Sequence, residues 1–206
     1  MLTPFRIQPL IHTAASPFPI RIRRFAFPAL SMVSSKTSKM LTPPLTALEF
    51  RKALGHFTTG VTVVTVEREP GKFHGMTANS FTSVSLDPML ILVCVDHRAK
   101  MLPLLEKKKR FGISVLKAGQ EAISEYFAKG VQSAEAEERL SIRYRRTSTG
   151  IVVLENALLQ LSCSVVTSHV AGDHTIFVGS VEDAEIHEGE PLLYFHGEYR
   201  GIARHR

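Results

Sequence analysis

Along this 206-residue chain, apolar positions alternate with polar ones, or run together in short β-branched blocks, more often than they recur at helical spacing. Thr46 and Glu49 have capping-box spacing. This predicts a helix over 47–57, with Leu48, Ala53, Leu54 and Phe57 facing a core and Leu45 stapled to Phe50. Val61–Val66 reads as a strand, Glu67–Lys72 with Pro70-Gly71 as a hairpin turn, and Phe73–Ala78 as the antiparallel return. Met89–Val95 is continuously apolar, as a buried strand is. Met101–Lys109 reads as a short helix, Phe111–Leu116 as a strand, and Glu121–Lys129 as an amphipathic helix ended by Gly130. Residues 131–147 are charged and turn-rich, which predicts a mobile surface segment. Three long strands are predicted after that, Ala157–His169, His174–His187 and Pro191–Tyr199, turning at Ala171-Gly172-Asp173 and Glu188-Gly189-Glu190. Many strands, few helices and hairpin connections predict a mainly β (α+β) fold, an antiparallel β-barrel with peripheral helices. No G-x-G-x-x-G follows a strand, which argues against a parallel dinucleotide-binding sheet.

Composition changes this picture mainly at the N-terminus. The chain carries 25 Lys and Arg against 19 Asp and Glu, a net charge of +6. Six of those cations (Arg6, Arg21, Arg23, Arg24, Lys36, Lys39) precede the first acid. The remaining 19 balance the 19 acids, so the folded part is neutral and no nucleic-acid footprint is expected. Lys107–Arg110 reads as the solvated end of a helix. Residues 1–44 also hold seven of the eleven prolines and read as a disordered extension, with one domain over 45–206. The extension could be an organellar import sequence, or the true start could be Met32 or Met40. Deleting residues 1–40 is expected to leave activity and melting temperature unchanged. No apolar run reaches the roughly 18 residues of a membrane span. Cys94 and Cys163 both lie in strand-like runs, which fits reduced, buried thiols and a cytoplasmic location, with an organellar one if the extension is an import sequence.

The stretch His74–Lys100 concentrates the candidate chemistry. A predicted loop rich in small hydroxyl and amide groups (Thr77, Asn79, Ser80, Thr82, Ser83, Ser85) closes at Asp87-Pro88. The buried strand then leads to Asp96-His97-Arg98-Ala99-Lys100, with two fixed cations two residues apart. A flat, polar-edged ring carrying a phosphate needs such a pair of surfaces. The histidines are scattered, with no zinc-ligand spacing, so no metal site is expected. No G-x-S-x-G is present, and a Cys in an apolar strand is inert, so nucleophilic catalysis is poorly supported. Hydride transfer remains, because a cofactor carries that chemistry and the protein supplies position and electrostatics. The residues alone also fit a plain hydroxyl-rich strand edge.

Five stretches in order resemble the flavin reductase family with the FMN-binding split-barrel fold, in particular the small reductase components of two-component aromatic monooxygenases. They are FRKALGHFTTGVTVVT (50–65), HGMTANSFTSVSLDP (74–88), RAKM (98–101), AGDHTIFVG (171–179) and PLLYFHGEYR (191–200). The resemblance implies a homodimer that uses NADH or NADPH to reduce FMN or FAD, the reduced flavin passing to a separate oxygenase. It implies that Thr77, Ala78, Asn79, Ser80 and Phe81 line the flavin. Ser83, Val84, Arg98, Ala99 and Lys100 would take its ribityl and phosphate portion. His174 would sit at the nicotinamide, with Tyr199 in the same pocket. Phe127, in a segment with an extra Lys129 relative to the family pattern, is a further flavin contact to test. His97 and Asp87 are assigned no role. A non-catalytic flavin carrier on the same barrel stays open. So does an oxidase of the pyridoxamine-phosphate type, which Gly172-Asp173-His174 and the Thr77–Phe81 loop disfavour.

Overall fold

The structure, a computed structural model, describes residues 45–203. The expected disordered extension lies outside the described residues. In chain order the elements are α1 (Ala47–Leu54), β1 (Thr59–Gly60), β2 (Thr62–Glu69), β3 (Lys72–Ala78), β4 (Phe81–Leu86), β5 (Met89–Asp96), α2 (Met101–Lys108) and β6 (Arg110–Val115). There follow α3 (Glu121–Ala128), α4 (Ala134–Arg139), β7 (Tyr144–Arg146), β8 (Val152–Leu154), β9 (Leu159–Ala171), β10 (His174–Ile186), β11 (Leu193–Phe195) and β12 (Glu198–Arg200).

Seven strands form one antiparallel sheet in the order β3-β2-β6-β9-β10-β5-β4, while β1-β11-β12 and β7-β8 form small satellite sheets. The ends of the large sheet, β3 and β4, are consecutive in the chain and joined only by Asn79 and Ser80. Laid flat, six inter-strand spacings would separate them by about 29 Å, which two residues cannot span. The sheet therefore curls until its two edges meet at Asn79-Ser80. Among the described residues no strand pairing closes that seam, so the expected barrel is a curled sheet with an open edge rather than a closed cylinder.

Curling gives the sheet two buried faces, which explains why β2 is buried without a break from Thr62 to Val66. Val64 and Val66 enter one core with Ile91, Val93, Val95, Phe111, Phe177 and, from α2, Met101 and Leu105. Val61 and Val63 enter a second with Leu116, Leu154, Leu192 and the α3 residues Tyr126 and Phe127. Successive strand residues point to opposite faces, so a two-sided core needs no alternation.

Four expectations are corrected. The capping box of α1 is present, with Glu49 N–H donating to Thr46 Oγ1 at 3.2 Å and Thr46 N–H donating to Glu49 Oε2 at 2.8 Å. Yet α1 buries nothing against the other described residues. Leu48, Leu54 and Phe57 stay exposed, as do Leu45 and Phe50, because none of the described elements covers that face. The hydroxyl-rich stretch 81–86 is strand β4, not loop. Its pairing with the apolar β5 overrides its turn-like composition. Segment 131–147 holds α4 and β7, tied down because Glu137 accepts from the Tyr126 and Tyr144 hydroxyls at 3.1 and 3.0 Å. Pro191–Tyr199 is not one strand. It breaks into β11 and β12 at His196-Gly197, both at positive φ (55° and 82°), as a two-residue hairpin turn of the primed kind requires. That hairpin is fastened to the end of α1 by His196 N–H donating to the Gly55 carbonyl at 2.8 Å. His56 and His196 also bring their Nε2 atoms to 2.8 Å.

Candidate functional site

Strand register determines which candidate residues meet. Phe81 pairs with Val93, and the Ser80 hydroxyl extends that pairing one step. It donates to the Cys94 carbonyl at 3.0 Å and accepts from the Cys94 N–H at 3.2 Å. Asn79 therefore lies beside the end of β5. Across β5, Asp96 pairs with His174, and the His97 N–H donates to the Asp173 carbonyl at 3.0 Å. The seam corner at Asn79-Ser80, the turn carrying Arg98, and the β9–β10 hairpin carrying His174 thus share one end of the sheet.

Asp96 organises this end. Its carboxylate accepts from the Arg98 backbone N–H at 2.7 Å and from Arg98 Nε and Nη2 at 3.0 and 2.6 Å. These bonds hold the Asp96 carboxyl well below the usual carboxylate range and raise the Arg98 guanidinium. The guanidinium is aimed, and its side chain is 85% exposed, which leaves it free to meet a ligand. The Asp173 carboxylate is lowered by its contact with His174 Nδ1 at 2.7 Å. An Nδ1–H donated there leaves Nε2 as the free ring nitrogen. Gly172, at φ +63°, makes the tight turn that sets Asp173 beside His174. His97 Nε2 lies 3.1 Å from the Thr175 hydroxyl.

The hydroxyls divide into two groups. Thr77 Oγ1 donates to the Ser124 carbonyl at 2.6 Å, and Ala78 is buried, its carbonyl accepting from Thr62 Oγ1 at 2.7 Å. These bonds fix the corner and leave its surface to others. Asn79, Thr82, Ser83 and Val84 are exposed, and Phe81 is half-buried against the first core. Strand β4 ends the sheet, so its outer row of backbone groups faces no strand. A β-bulge between Ser83 and Ser85 twists that edge. Small side chains over an unpaired backbone edge can take the amide-like rim of a planar ring.

Other expected residues lie elsewhere. Ala99 packs partly into the first core. Lys100 does not join Arg98. Its Nζ turns to the Gly130 carbonyl at 3.3 Å, toward the edge of β3. Phe127 is corrected: it is 1% exposed and packed against Gly75, where an added Cβ would meet its ring at 2.5 Å. It is core, and its bulk is why residue 75 has no side chain. Tyr199 donates to Ser124 Oγ at 2.9 Å, so β12, α3 and β3 are linked through Ser124. Sequence reasoning missed Ser124, Asp96 and Asp173. A buried hydroxyl on the inward face of an apolar helix was the available sign of Ser124. The available sign of the two carboxylates was local: Asp96 stands two residues before Arg98 and Asp173 directly before His174. Cys163 is buried, its thiol pushed up to about 12 by burial, and Cys94 is raised for the same reason.

Set beside known proteins, the chain belongs to the flavin reductase-like family, whose flavin reductase like domain matches residues 54–203. It is 44% identical over 170 residues to an NADH-dependent flavin reductase of a Rhodococcus species, spanning 82% of this chain and 93% of that one. It is 41% identical over 154 residues to the reductase component of 4-hydroxyphenylacetate 3-monooxygenase of Thermus thermophilus, spanning 74% and 95%. Among solved structures, the NADH:FAD oxidoreductase SgcE6 of Streptomyces globisporus, in complex with NAD and FAD fragments, superimposes with a TM-score of 0.71. That match has 38% identity and covers 79% of this chain and 96% of that one.

Proposed function

We propose that this protein is an NADH-dependent flavin reductase that moves a hydride from the reduced nicotinamide to FMN or FAD and supplies reduced flavin to a partner monooxygenase. The observation that carries the reading is the meeting, at one end of the sheet, of the unpaired β4 edge, the aimed Arg98 and the Asp173-oriented His174. Family membership and relatives described as NADH-dependent flavin reductases and monooxygenase reductase components support it.

Thr77, Ala78, Asn79, Ser80 and Phe81 form the wall for the flavin ring. Thr77, Ala78 and Ser80 act by fixing the backbone, and Asn79 and Phe81 by contact. Ser83, Val84 and Arg98 take the ribityl and phosphate portion, where a charge-assisted bond is strongest. The flavin, when bound, supplies the hydride-accepting ring. His174 Nε2 accepts from the nicotinamide amide and sets that ring's orientation, and it need not transfer a proton. The buried apolar floor of Val93 and Val95 keeps water from beneath the corner.

The working unit is a homodimer. Support comes from apolar surface that the described residues of one chain leave open: α1, and the β4–β5 turn, where Leu86 is 85% and Met89 59% exposed. Among the described residues no helix is long and apolar enough to cross a membrane, and two high-pKa free thiols suit a reducing, cytoplasmic compartment. NADH consumption by the purified protein, crossed with both flavins, tests the activity. The expected result is oxidation that requires added FMN or FAD. Bound flavin without turnover would leave a carrier and end the reductase reading.

A further inference from the structure

A second cavity, of about 350 Å³, opens along the outer edge of β3, away from the Asp96–His174 end. Its lining combines Arg68, Lys72 and Lys100 with the rings of Phe73 and Tyr144. Lys72 is paired with Glu69 at 2.7 Å. Among the described residues the Arg68 side chain makes no hydrogen bond or salt bridge, and the Lys100 side chain bonds only to the Gly130 carbonyl. The one carboxylate in the lining, Glu137, is occupied by two tyrosine hydroxyls. The cavity lining is therefore positive on balance, and neither Arg68 nor Lys100 is in a salt bridge, although Arg68 acts through space on Glu69. His74, 8% exposed beneath them, is held below its ordinary pKa, first by burial and then by Lys100 and Arg68.

The volume falls in the range of small-molecule sites, and unpaired cations beside aromatic rings suit a phosphorylated, flat ligand. The edge is closed to another strand, because Gln132 takes both backbone groups of Gly75, its Oε1 accepting at 3.2 Å and its Nε2 donating at 2.6 Å. From His74 to Asn79 the rise of β3 is about 17 Å, so the cavity and the seam corner lie along one edge at the spacing of two halves of a dinucleotide.

We propose that this cavity binds an adenosine diphosphate arm, with Arg68 and Lys100 on the phosphates and the purine against the Phe73–Tyr144 wall. The proposal rests on the reductase reading for the source of the arm, which is carried by both NADH and FAD.

The test uses the full chain, R68A and R68K, with three probes. ADP titrated calorimetrically needs no turnover, and R68A is expected to weaken it about tenfold, R68K restoring most of the loss. Kinetics with FMN as acceptor compare NADH with reduced nicotinamide mononucleotide, which lacks the adenosine arm. Flavin titrations compare FAD with FMN. A shift confined to NADH assigns the cavity to the nicotinamide dinucleotide, and one confined to FAD assigns it to the flavin dinucleotide. The proposal is overturned if wild type does not bind ADP, or if R68A moves mononucleotides and dinucleotides alike. A protein that binds ADP yet never oxidises NADH would sink the reductase reading and leave the cavity assignment standing.

Discussion

Arg98 and Lys100 leave the same turn, two residues apart, and end in different surroundings. Arg98 is drawn by Asp96 toward the hairpin of His174, at the end of the sheet where the seam corner lies. Lys100 starts α2, and its Nζ reaches Gly130 and the cavity of Arg68 and His74. The first region is an open corner whose exposed polar groups face solvent over a rigid apolar floor. The second is a walled cavity whose polar groups are largely spent on each other through Gln132, Glu137 and the tyrosines. Cations adjacent in sequence thus read as one phosphate clamp until the fold separates them. Carboxylate placement decides the outcome, since Asp96 and Asp173 hold one cation and one imidazole at the corner while Lys100 meets no acid.

The largest effect that probes this division is on stability. Phe127→Ala removes a buried ring from the wall beside the cavity and should cost about 3–5 kcal/mol in urea unfolding. FMN affinity of the folded protein should hold. A tenfold loss of FMN binding would return Phe127 to the flavin site and erase the distinction. Next comes the pair of cations. Arg98→Ala should weaken FMN about tenfold by fluorescence titration with little change in melting temperature, because its ion pair is exposed. Lys100→Ala should weaken FMN by less than about threefold. Equal losses would show one joint clamp.

A smaller effect is expected at the hairpin. His174→Ala should raise KM for NADH about fivefold, one neutral hydrogen bond's worth, with FMN affinity unchanged. Unaltered kinetics would remove His174 from the site. The smallest concerns pH. Arg98 depresses the folded-state value of Asp96, so the stabilisation is fully present above the unfolded-state value of about 4 and is lost only as pH falls through the lower folded value. In Arg98→Ala the Asp96 titration followed by carboxyl NMR should rise toward that ordinary value. The backbone N–H of residue 98 remains in the variant, so the rise should be partial, and a carboxyl that does not rise at all would mean that the guanidinium is not what holds it.

Much of this molecule was legible in the residues. The capping box at Thr46 and Glu49, the hairpin at Pro70-Gly71, the turn at Gly172-Asp173 and the strand β5 are local devices, each set by a few neighbouring side chains, and each is where the pattern puts it, although β5 buries only alternate residues, Ile91, Val93 and Val95. The motif order was enough to name the family. What the sequence could not decide was which polar groups would be used up. Thr77 and Ser83 look alike in the chain. One bonds to α3 and the other lies on an open edge, because curling brings Ser124 to β3 and nothing to β4. Phe127 became core for the same reason, through its meeting with Gly75. Local propensity is set by neighbours in sequence. The pairs Asp96–Arg98 and Asp173–His174 are local too, but exposure and the separation of Arg98 from Lys100 depend on contacts tens of residues apart, and only the curled sheet creates them.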